Sequence, residues 1–225
     1  ELRAGTLYVV STPIGNLKDI TFRAIEVLSK VDLIAAEDTR HTRILLEHYK
    51  IKTPTTSYHE FNKEQKMPYL LGRLQSGEKL AVVSDAGTPG ISDPAFKLVR
   101  ECIEKQVSIE TIPGATAFVP ALILSGLPTD RFVFEGFLPQ KKRQKRIEEL
   151  RNETRTLIFY ESPHRISKTL KDLEQYFGQR QAALIREITK KFEEVHRGTL
   201  GDLISKLSQI KLKGEFVLVI AGKGK

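Results

Sequence analysis

The sequence predicts an α/β protein of two α/β domains, the first with a largely parallel sheet and the second with a mixed sheet. Three observations lead to this prediction. Short apolar runs alternate with longer amphipathic runs, as strands alternate with helices. Loops rich in Gly, Pro, Ser and Thr follow several of the apolar runs. The stretch "SGLPTDRF" at 125–132 combines Gly, Pro and Asp, and it divides the chain into domains at 1–128 and 129–225.

The first domain is predicted to hold five strands and five helices. Apolar runs predict the strands at 6–10, 32–37, 53–59, 79–84 and 107–112. Amphipathic stretches predict the helices near 20–30, 40–49, 62–76, 93–105 and 115–125. An apolar residue at every third position predicts the buried face of the first helix: Phe22, Ile25, Leu28 and Val31. Asp93 followed by Pro94 is typical of a helix start, with an N-cap and then proline at the first helical position.

The second domain continues the alternation. Its predicted strands lie at 131–137, 155–161, 181–187, 192–198 and 215–220. Its predicted helices are a basic stretch from 141 and two amphipathic stretches near 163–177 and 199–209. Because only a short segment separates the strands at 181–187 and 192–198, they are expected to be neighbours, which indicates a mixed sheet.

The net charge of +8 comes entirely from the second domain. Residues 1–128 carry 15 Lys and Arg against 15 Asp and Glu, and residues 129–225 carry 21 against 13. This asymmetry favours a small-molecule site in the first domain and a polyanion surface in the second, although an ordinary basic protein explains the charge equally well.

Composition indicates a soluble, cytoplasmic protein. The longest apolar runs are too short to span a bilayer, and the start shows no secretory signal. The lone Cys102 lies in a helix-like stretch, where a buried thiol is expected rather than a nucleophile.

Four loops that follow predicted strands predict a binding pocket. They are "STPIGNLKDIT", "EDTRHT", "SDAGTPGISDP" and "PGATA". In open α/β sheets, ligands bind beyond the carboxyl ends of the strands, so these loops are expected to meet at one rim. The chain lacks both the three-glycine dinucleotide fingerprint and a phosphate-binding GKS or GKT. A ligand without phosphate, such as S-adenosylmethionine, suits such loops, and the alternative is a tight turn before a capped helix.

The motifs in these loops resemble a known family. In chain order they are "LYVVSTPIGNLKDIT", "AAEDTRHT", "LAVVSDAGTPGISDPA", "IPGATA", "FYESPHR", "REITKKFEE" and "GEFVLVI". Together they are similar to the small-subunit ribosomal RNA methyltransferases of the tetrapyrrole methylase superfamily. The resemblance covers essentially the whole chain. It implies S-adenosylmethionine-dependent methylation of the ribose 2′-hydroxyl of a cytidine in the decoding region, a cofactor cleft between the two domains, and a homodimer.

The resemblance also implies which residues contact the cofactor. By position in the motifs they are Pro13, Gly15, Asp85, Gly87, Thr88, Pro89, Thr116, Ala117, Tyr160, Arg186 and Glu215. The last three lie in the second domain, where the superfamily varies more.

Cations of the second domain predict the RNA contacts. The cluster "KKRQKR" at 141–146 opens a helical stretch, and phosphate contacts from such residues supply salt-dependent affinity. The expected RNA-binding residues are Lys141, Lys142, Arg143, Lys145, Arg146, Arg165 and Lys191. Phe192 and Tyr160 are candidates for stacking on an unpaired base. The alternative is that both rings are core residues and the cluster is a solvated helix face.

Methyl transfer to a ribose hydroxyl benefits from a base that accepts the proton and a cation that stabilises the developing alkoxide. Our hypothesis assigns the cation to Lys190 or Arg40 and the base to Glu37 or Glu187. The competing interpretation makes Glu37 and Arg40 a structural ion pair at a helix start.

No metal site is predicted. His41 and His48 share one predicted helix face, but no third ligand lies near them in the sequence, and His59, His164 and His196 are scattered. Two other functions stay open: methylation of a corrin or porphyrin precursor, and a basic RNA-binding module whose pocket is not catalytic.

Overall fold

A computed structural model describes residues 1–224 and divides the chain into two compact units. The first comprises Glu1–Thr116 and the second begins at Ala117. This division lies twelve residues before the boundary that the sequence suggested at 128/129. The reason is that the helix at Phe118–Ser125 packs against strands of the second unit. The sequence had suggested the linker after this helix, in the stretch "SGLPTDRF".

The first unit is a five-stranded parallel sheet with helices between its strands. The strands are β1 (Thr6–Val10), β2 (Leu33–Ala36), β3 (Thr55–Ser57), β4 (Leu80–Val83) and β5 (Ser108–Ile112), in the order β3-β2-β4-β1-β5. The helices are α1 (Phe22–Lys30), α2 (Thr39–His48), α3 (Lys63–Gln75) and α4 (Ala95–Glu104). A short 3-10 helix at Leu17–Asp19 follows β1.

The three inner strands of the first sheet, β2, β4 and β1, are buried on both faces, as strands of parallel sheets are, whereas the edge strands β3 and β5 are partly exposed. Successive side chains point to opposite faces of a strand, so Leu7 and Val9 join one core cluster while Tyr8 and Val10 join the other. The same alternation holds along β2 and β4. The three-residue spacing predicted for α1 is partly wrong, because Phe22 is 93% exposed. The buried face instead follows helical spacing through Ala24, Val27 and Leu28.

The second unit is a five-stranded mixed sheet. Its strands are β6 (Phe132–Phe137), β7 (Thr156–Glu161), β8 (Gln181–Arg186), β9 (Glu194–Thr199) and β10 (Phe216–Ile220), in the order β6-β7-β10-β8-β9. Only β6 and β7 are parallel, and the other three pairs are antiparallel. The helices are α5 (Phe118–Ser125), α6 (Arg143–Glu149), α7 (Ile166–Phe177) and α8 (Leu200–Lys206), with a 3-10 turn at Leu207–Gln209.

Both predicted sheet types are therefore confirmed. In the second unit, Leu157, Phe159 and Leu218 form a core with α6, α7 and α8, while α5 packs against β8 and β10. None of the helices within residues 1–224 is long and apolar enough to cross a membrane.

Candidate functional site

The carboxyl ends of the strands of the first unit bring the predicted loops together. Glu37 follows β2, Asp85 follows β4 by two residues, Ser11 and Thr12 follow β1, and "PGATA" follows β5. Because β2, β4, β1 and β5 are consecutive in the sheet, each loop lies beside the next. Hydrogen bonds between these loops bear this out at each step.

The loops after β1, β4 and β5 are tied to one another. Thr12 and Gly87 exchange backbone hydrogen bonds of 2.9 and 3.1 Å. The Thr88 hydroxyl lies 2.9 Å from that of Ser11 and donates to the carbonyl of Ala115 at 3.0 Å. The Thr88 side chain is therefore used within the protein, and Gly87 and Pro89 on either side of it are buried. Such a turn, with no cationic side chain, suits a ligand without phosphate.

Gly87 is required by this geometry. Its φ of +83° is a backbone angle that residues other than glycine rarely adopt, and a Cβ at this position would lie 3.2 Å from Ile14 Cγ2. The glycine thus lets the loop after β4 lie against the loop after β1.

The loops after β2 and β4 join through carboxylates. The backbone N–H of Asp85 donates to Glu37 Oε2 at 3.2 Å, and the backbone N–H of Asp38 donates to Asp85 Oδ1 at 2.9 Å. Burial raises the pKa of Glu37, and the nearby charge of Asp85 adds to that rise, while the Asp85 N–H opposes it. A carboxylate with a raised pKa at a strand end suits a general base.

The ion pair at the start of α2 differs from the predicted alternative. Arg40 pairs with Asp38, at 2.8 Å between Nη2 and Oδ2, and not with Glu37. Asp38 is the N-cap of α2 and its pKa is well below the usual range, because Arg40 donates to it from side chain and backbone. Glu37 is thereby left outside this pair.

Asp93, the second aspartate of the "SDAGTPGISDP" loop, has a structural role. Its carboxylate accepts from the N–H groups of Gly90 (2.8 and 2.9 Å) and Ala95 (2.8 Å). It closes the loop and accepts from the first residue of α4. The helix begins at Ala95 with Pro94 in the N-cap position, one residue later than the predicted start with Asp93 as N-cap. Burial raises the pKa of Asp93.

A groove lies within the first unit, between the loop after β1, the loop after β4 and α2. Its volume is about 250 Å³. The residues that line it are Thr12, Pro13, Gly15, Leu17, His41, Thr42, Ile44, Leu45, Ser84 and Asp85. The groove thus brings together Pro13, Gly15 and Asp85 of the predicted cofactor set, and it leaves out Gly87, Thr88, Pro89 and Thr116.

His59 was missed as a site residue by sequence reasoning. It lies just beyond β3, next to β2 in the sheet, and its charge acts on the Glu37 carboxyl to lower the pKa of that group. Its Nδ1 is buried and has no hydrogen-bond partner among residues 1–224. Only the pairing of β3 with β2 brings it near Glu37, so no local motif could have identified it.

The predicted residues of the second unit form two groups. Tyr160 packs its ring against Phe134 and Phe137, and its hydroxyl accepts from the N–H of Phe118 at 3.2 Å. Thr116 and Ala117 stand at the division between the units and are half-buried. Ala117 precedes α5, whose first residue contacts the Tyr160 hydroxyl.

The loop between β8 and β9 carries a charged network. Lys190 Nζ lies 3.0 Å from Glu187 Oε1 and 2.8 Å from Glu215 Oε2. Burial lowers the pKa of Lys190, but the two carboxylates outweigh it and raise the pKa overall, so this residue is a cation and not a base. Burial acts to raise the pKa of Glu187, but the N–H of Glu215 and the charge of Lys190 outweigh it, so that pKa is lowered overall.

Arg186 was expected to contact the cofactor, but its guanidinium is buried. Its side chain is 5% exposed and donates to the carbonyls of Lys213 and Phe192 and to Glu194. These partners hold the guanidinium within the second unit, and the cofactor contact expected of Arg186 stays a prediction. Sequence reasoning missed this role because it depends on how the loop after β8 folds back and on Lys213 from a later segment.

The predicted RNA-binding cluster is split by the structure. Lys141, Lys142 and Lys145 are exposed. Arg143 is only 10% exposed and bonds to Asp172 at 2.9 Å, with Glu161 at 3.8 Å. Arg143 therefore holds α6 to β7 and α7, which argues against a phosphate contact by its guanidinium.

The other two arginines of the set are also paired. Arg146 forms hydrogen bonds with both carboxylate oxygens of Glu135, and Arg165 bonds to the buried Glu161 at 3.0 Å. Lys191 is exposed and lies over the ring of Phe192, with 5.6 Å from Nζ to the centroid. Phe192 is 63% exposed, so it is not the core residue that the alternative supposed.

Neither a metal site nor a thiol nucleophile is evident within residues 1–224. No group of three or more His, Cys, Asp or Glu side chains there is arranged to hold a metal ion. Burial raises the pKa of Cys102 to about 12, so its thiol is not a nucleophile at neutral pH.

Comparisons with known proteins agree with this architecture. The model of the family "Tetrapyrrole (Corrin/Porphyrin) Methylases" matches residues 6–204. A solved uroporphyrin-III-C-methyltransferase from Thermus thermophilus superposes with a TM-score of 0.70 at 20% identity, covering 96% of this chain and 94% of that one. A solved diphthine synthase gives a TM-score of 0.73 at 16% identity, covering 96% and 89%.

Two relatives with a higher sequence identity than these solved structures carry the name "Ribosomal RNA small subunit methyltransferase I". The relative from Synechocystis sp. is 55% identical over 97% of this chain and 79% of its own length. The relative from Halalkalibacterium halodurans is 51% identical over 98% of this chain and 77% of its own. The chain therefore belongs to the tetrapyrrole (corrin/porphyrin) methylase family and, within it, to the ribosomal RNA small subunit methyltransferase I proteins.

Proposed function

We propose that this methyltransferase transfers the methyl group of S-adenosylmethionine to the ribose 2′-hydroxyl of a cytidine in the decoding region of small-subunit ribosomal RNA. The observation that carries the proposal is the 55% identity, over 97% of the chain, to a relative named for the RNA of the small subunit. The tied loops of the first unit and the exposed lysines of the second support it.

The cofactor, when bound, supplies a methyl group attached to a positively charged sulfur. The turn Gly87–Pro89, with Thr116, is the part of the first unit that we assign to it. The turn carries no cationic side chain that would favour a phosphate, and the hydrogen bonds of Thr88 to Ser11 and Ala115 hold it in place. Contacts from Tyr160, Ala117 and Glu215 stay predictions.

Glu37 is the residue that we assign as general base. Burial raises its pKa, which brings its basicity closer to that needed at neutral pH, and the Asp85 N–H holds one of its oxygens. The 2′-oxygen attacks the methyl carbon while the bond from that carbon to sulfur breaks, and the hydroxyl proton passes to Glu37. Arg40 is 86% exposed and paired with Asp38, so it is a weaker candidate for the stabilising cation.

Glu187 and Lys190 support a different role. Their mutual bond and the bond to Glu215 hold the loop that carries Lys191 and Phe192. We assign this loop to RNA contact, with Phe192 stacking on an unpaired base and Lys191 near a phosphate. Lys141, Lys142 and Lys145 provide further phosphate contacts.

A homodimer and a cytoplasmic location are further parts of the proposal. The neutral first unit is the better candidate for the dimer surface, because two basic units repel each other. It carries Phe96 and Ile103 on α4, which are 59% and 64% exposed. Sedimentation at micromolar concentration tests the dimer directly.

The test of the function supplies methyl-labelled S-adenosylmethionine with purified small ribosomal subunits that lack the modification, and in parallel with a porphyrin precursor. We expect label in the RNA alone, and its loss in the Glu37→Gln variant. Label in the porphyrin alone supports the tetrapyrrole alternative. A protein that binds cofactor and RNA without transfer supports the non-catalytic alternative.

A further inference from the structure

We propose that the groove of the first unit binds the base and sugar of the nucleotide to be methylated, and that it selects cytidine through Asp85. This inference rests on the proposed function and extends it, because the loop motifs alone place Pro13, Gly15 and Asp85 on the cofactor.

The size of the groove suits a single nucleoside. Its volume of about 250 Å³ is below the roughly 300–1,000 Å³ of pockets that enclose drug-sized molecules. A complete S-adenosylmethionine joins a purine nucleoside to an amino acid and needs more room. One pyrimidine ring with its ribose matches the groove better.

The apolar walls of the groove suit a flat ring. Leu17 comes from the 3-10 helix after β1, and Ile44 and Leu45 come from α2. Apolar side chains from these two elements can replace the stacking that a base loses when it leaves a helix. A nucleotide whose ribose is to be modified has to be accessible in this way, and single-stranded RNA is recognised through such splayed bases.

The groove also contains polar groups with unused hydrogen-bonding capacity, which the edge of a base could fill. The Thr12 residue is 4% exposed, and its Oγ1 is buried with no hydrogen-bond partner among residues 1–224. A buried hydroxyl without a partner in the protein indicates that a ligand supplies one. Asp85 accepts one backbone hydrogen bond at Oδ1, and a carboxylate has further capacity to accept.

This capacity distinguishes the two pyrimidines. Cytosine carries an amino group that donates to Asp or Glu, whereas uracil presents a carbonyl oxygen at the same position. The carboxylate of Asp85 therefore attracts cytosine and repels uracil. His41, which is exposed at the groove, adds a second group able to donate or accept.

The position of the groove links it to the proposed base. Asp85 N–H bonds to Glu37 at 3.2 Å, so the polar end of the groove adjoins the carboxylate that accepts the hydroxyl proton. The turn Gly87–Pro89 contributes no residue to the groove and stays available for the cofactor.

Two variants test the inference in the full-length protein. Ile44→Trp fills the groove from a residue that is 59% exposed, so the fold is retained. Asp85→Asn keeps an oxygen for the Asp38 N–H but replaces the other carboxylate oxygen with a donor. Arg43→Gln, on α2 outside the groove, is the matched control. Each is compared with the wild type by melting temperature, S-adenosylmethionine affinity and kcat/KM on RNA.

We expect Ile44→Trp to bind S-adenosylmethionine within about twofold of the wild type and to lose RNA methylation, because it blocks the nucleotide and not the cofactor. For Asp85→Asn, we expect the preference for cytidine over uridine at the modified position to fall by about 5- to 100-fold, the range for one lost base contact. Arg43→Gln should match the wild type.

Three results overturn the inference. Loss of S-adenosylmethionine binding in Ile44→Trp assigns the groove to the cofactor. Full RNA methylation by Ile44→Trp means that the groove is not used. An unchanged preference in Asp85→Asn removes the base contact. In each case the wild type still methylates RNA, whereas a wild type that transfers no label to RNA overturns both the proposed function and the groove inference.

Discussion

Replacing Arg143 with methionine is expected to destabilise the protein although Arg143 lies in the basic cluster predicted to bind RNA. Its guanidinium is 10% exposed, pairs with Asp172 at 2.9 Å and approaches Glu161, whose side chain is fully buried. Removing one partner of a buried ion pair costs about 3–5 kcal/mol, because the other charge stays buried without compensation. Glu161 keeps Arg165 at 3.0 Å, which argues for the lower end of that range.

A loss of about 3 kcal/mol corresponds to a fall in melting temperature of roughly 6–12 °C for a protein of this size. Thermal and urea unfolding of Arg143→Met and wild type measure it. Lys145→Met is the matched control, because Lys145 lies on the same helix but is exposed, and its unfolding free energy should change by less than about 0.5 kcal/mol. RNA binding should weaken in Lys145→Met and, at temperatures where it is folded, not in Arg143→Met. If instead Arg143→Met unfolds within about 1 kcal/mol of wild type and binds RNA as weakly as Lys145→Met, the structural role assigned here is refuted.

The lysine cluster, Glu37 and Thr88 can each be tested by substitution. Changing Lys141, Lys142 and Lys145 together to Gln should make the slope of log affinity against log salt concentration shallower by about 2. Each lost phosphate contact with single-stranded RNA reduces that slope by about 0.7, and an unchanged slope contradicts the assignment of these lysines to RNA. Glu37→Gln should abolish methyl transfer yet raise the melting temperature at pH 7. Burial raises the pKa of Glu37 in the folded state above 4.5. Its stabilising contribution is therefore present below pH 4.5 and lost as pH rises through the folded pKa. The difference in melting temperature between variant and wild type should vanish near pH 4, and a variant less stable than wild type at pH 7 contradicts this. Thr88→Val should lower the unfolding free energy by about 1 kcal/mol through the lost bonds to Ser11 and Ala115, and should weaken S-adenosylmethionine binding measured by calorimetry.

The fold was predictable because its signals are local. Each predicted strand overlaps an observed one, and the alternation of strand and helix led to the parallel sheet of the first unit. The placement of α5 was not predictable in this way. Its apolar residues Ala121 and Leu122 pack on β8 and β10, which come far later in the chain. Because of the Gly and Pro residues after α5, the predicted boundary follows that helix, whereas the compact units divide before it.

The candidate site was predictable as a set of loops but not as individual side chains. The rule for the carboxyl ends of strands brought Glu37, Asp85 and Gly87 to neighbouring loops, and the hydrogen bonds between those loops agree with it. Charge patterning could not separate Lys145 from Arg143, because only the fold shows which cation faces a buried carboxylate. The position of His59 beside Glu37 likewise depends on the pairing of β3 with β2.

The measurement that tests the central claim most directly locates the methyl group on the nucleotide. Small-subunit RNA labelled by the protein from S-adenosylmethionine is hydrolysed in alkali, where cleavage requires a free 2′-hydroxyl. A methylated 2′-oxygen blocks cleavage at its own phosphate, so we predict that the label is recovered in an alkali-resistant dinucleotide. Label recovered in mononucleotides would mean methylation of a base, which contradicts the claim and the role assigned to Glu37.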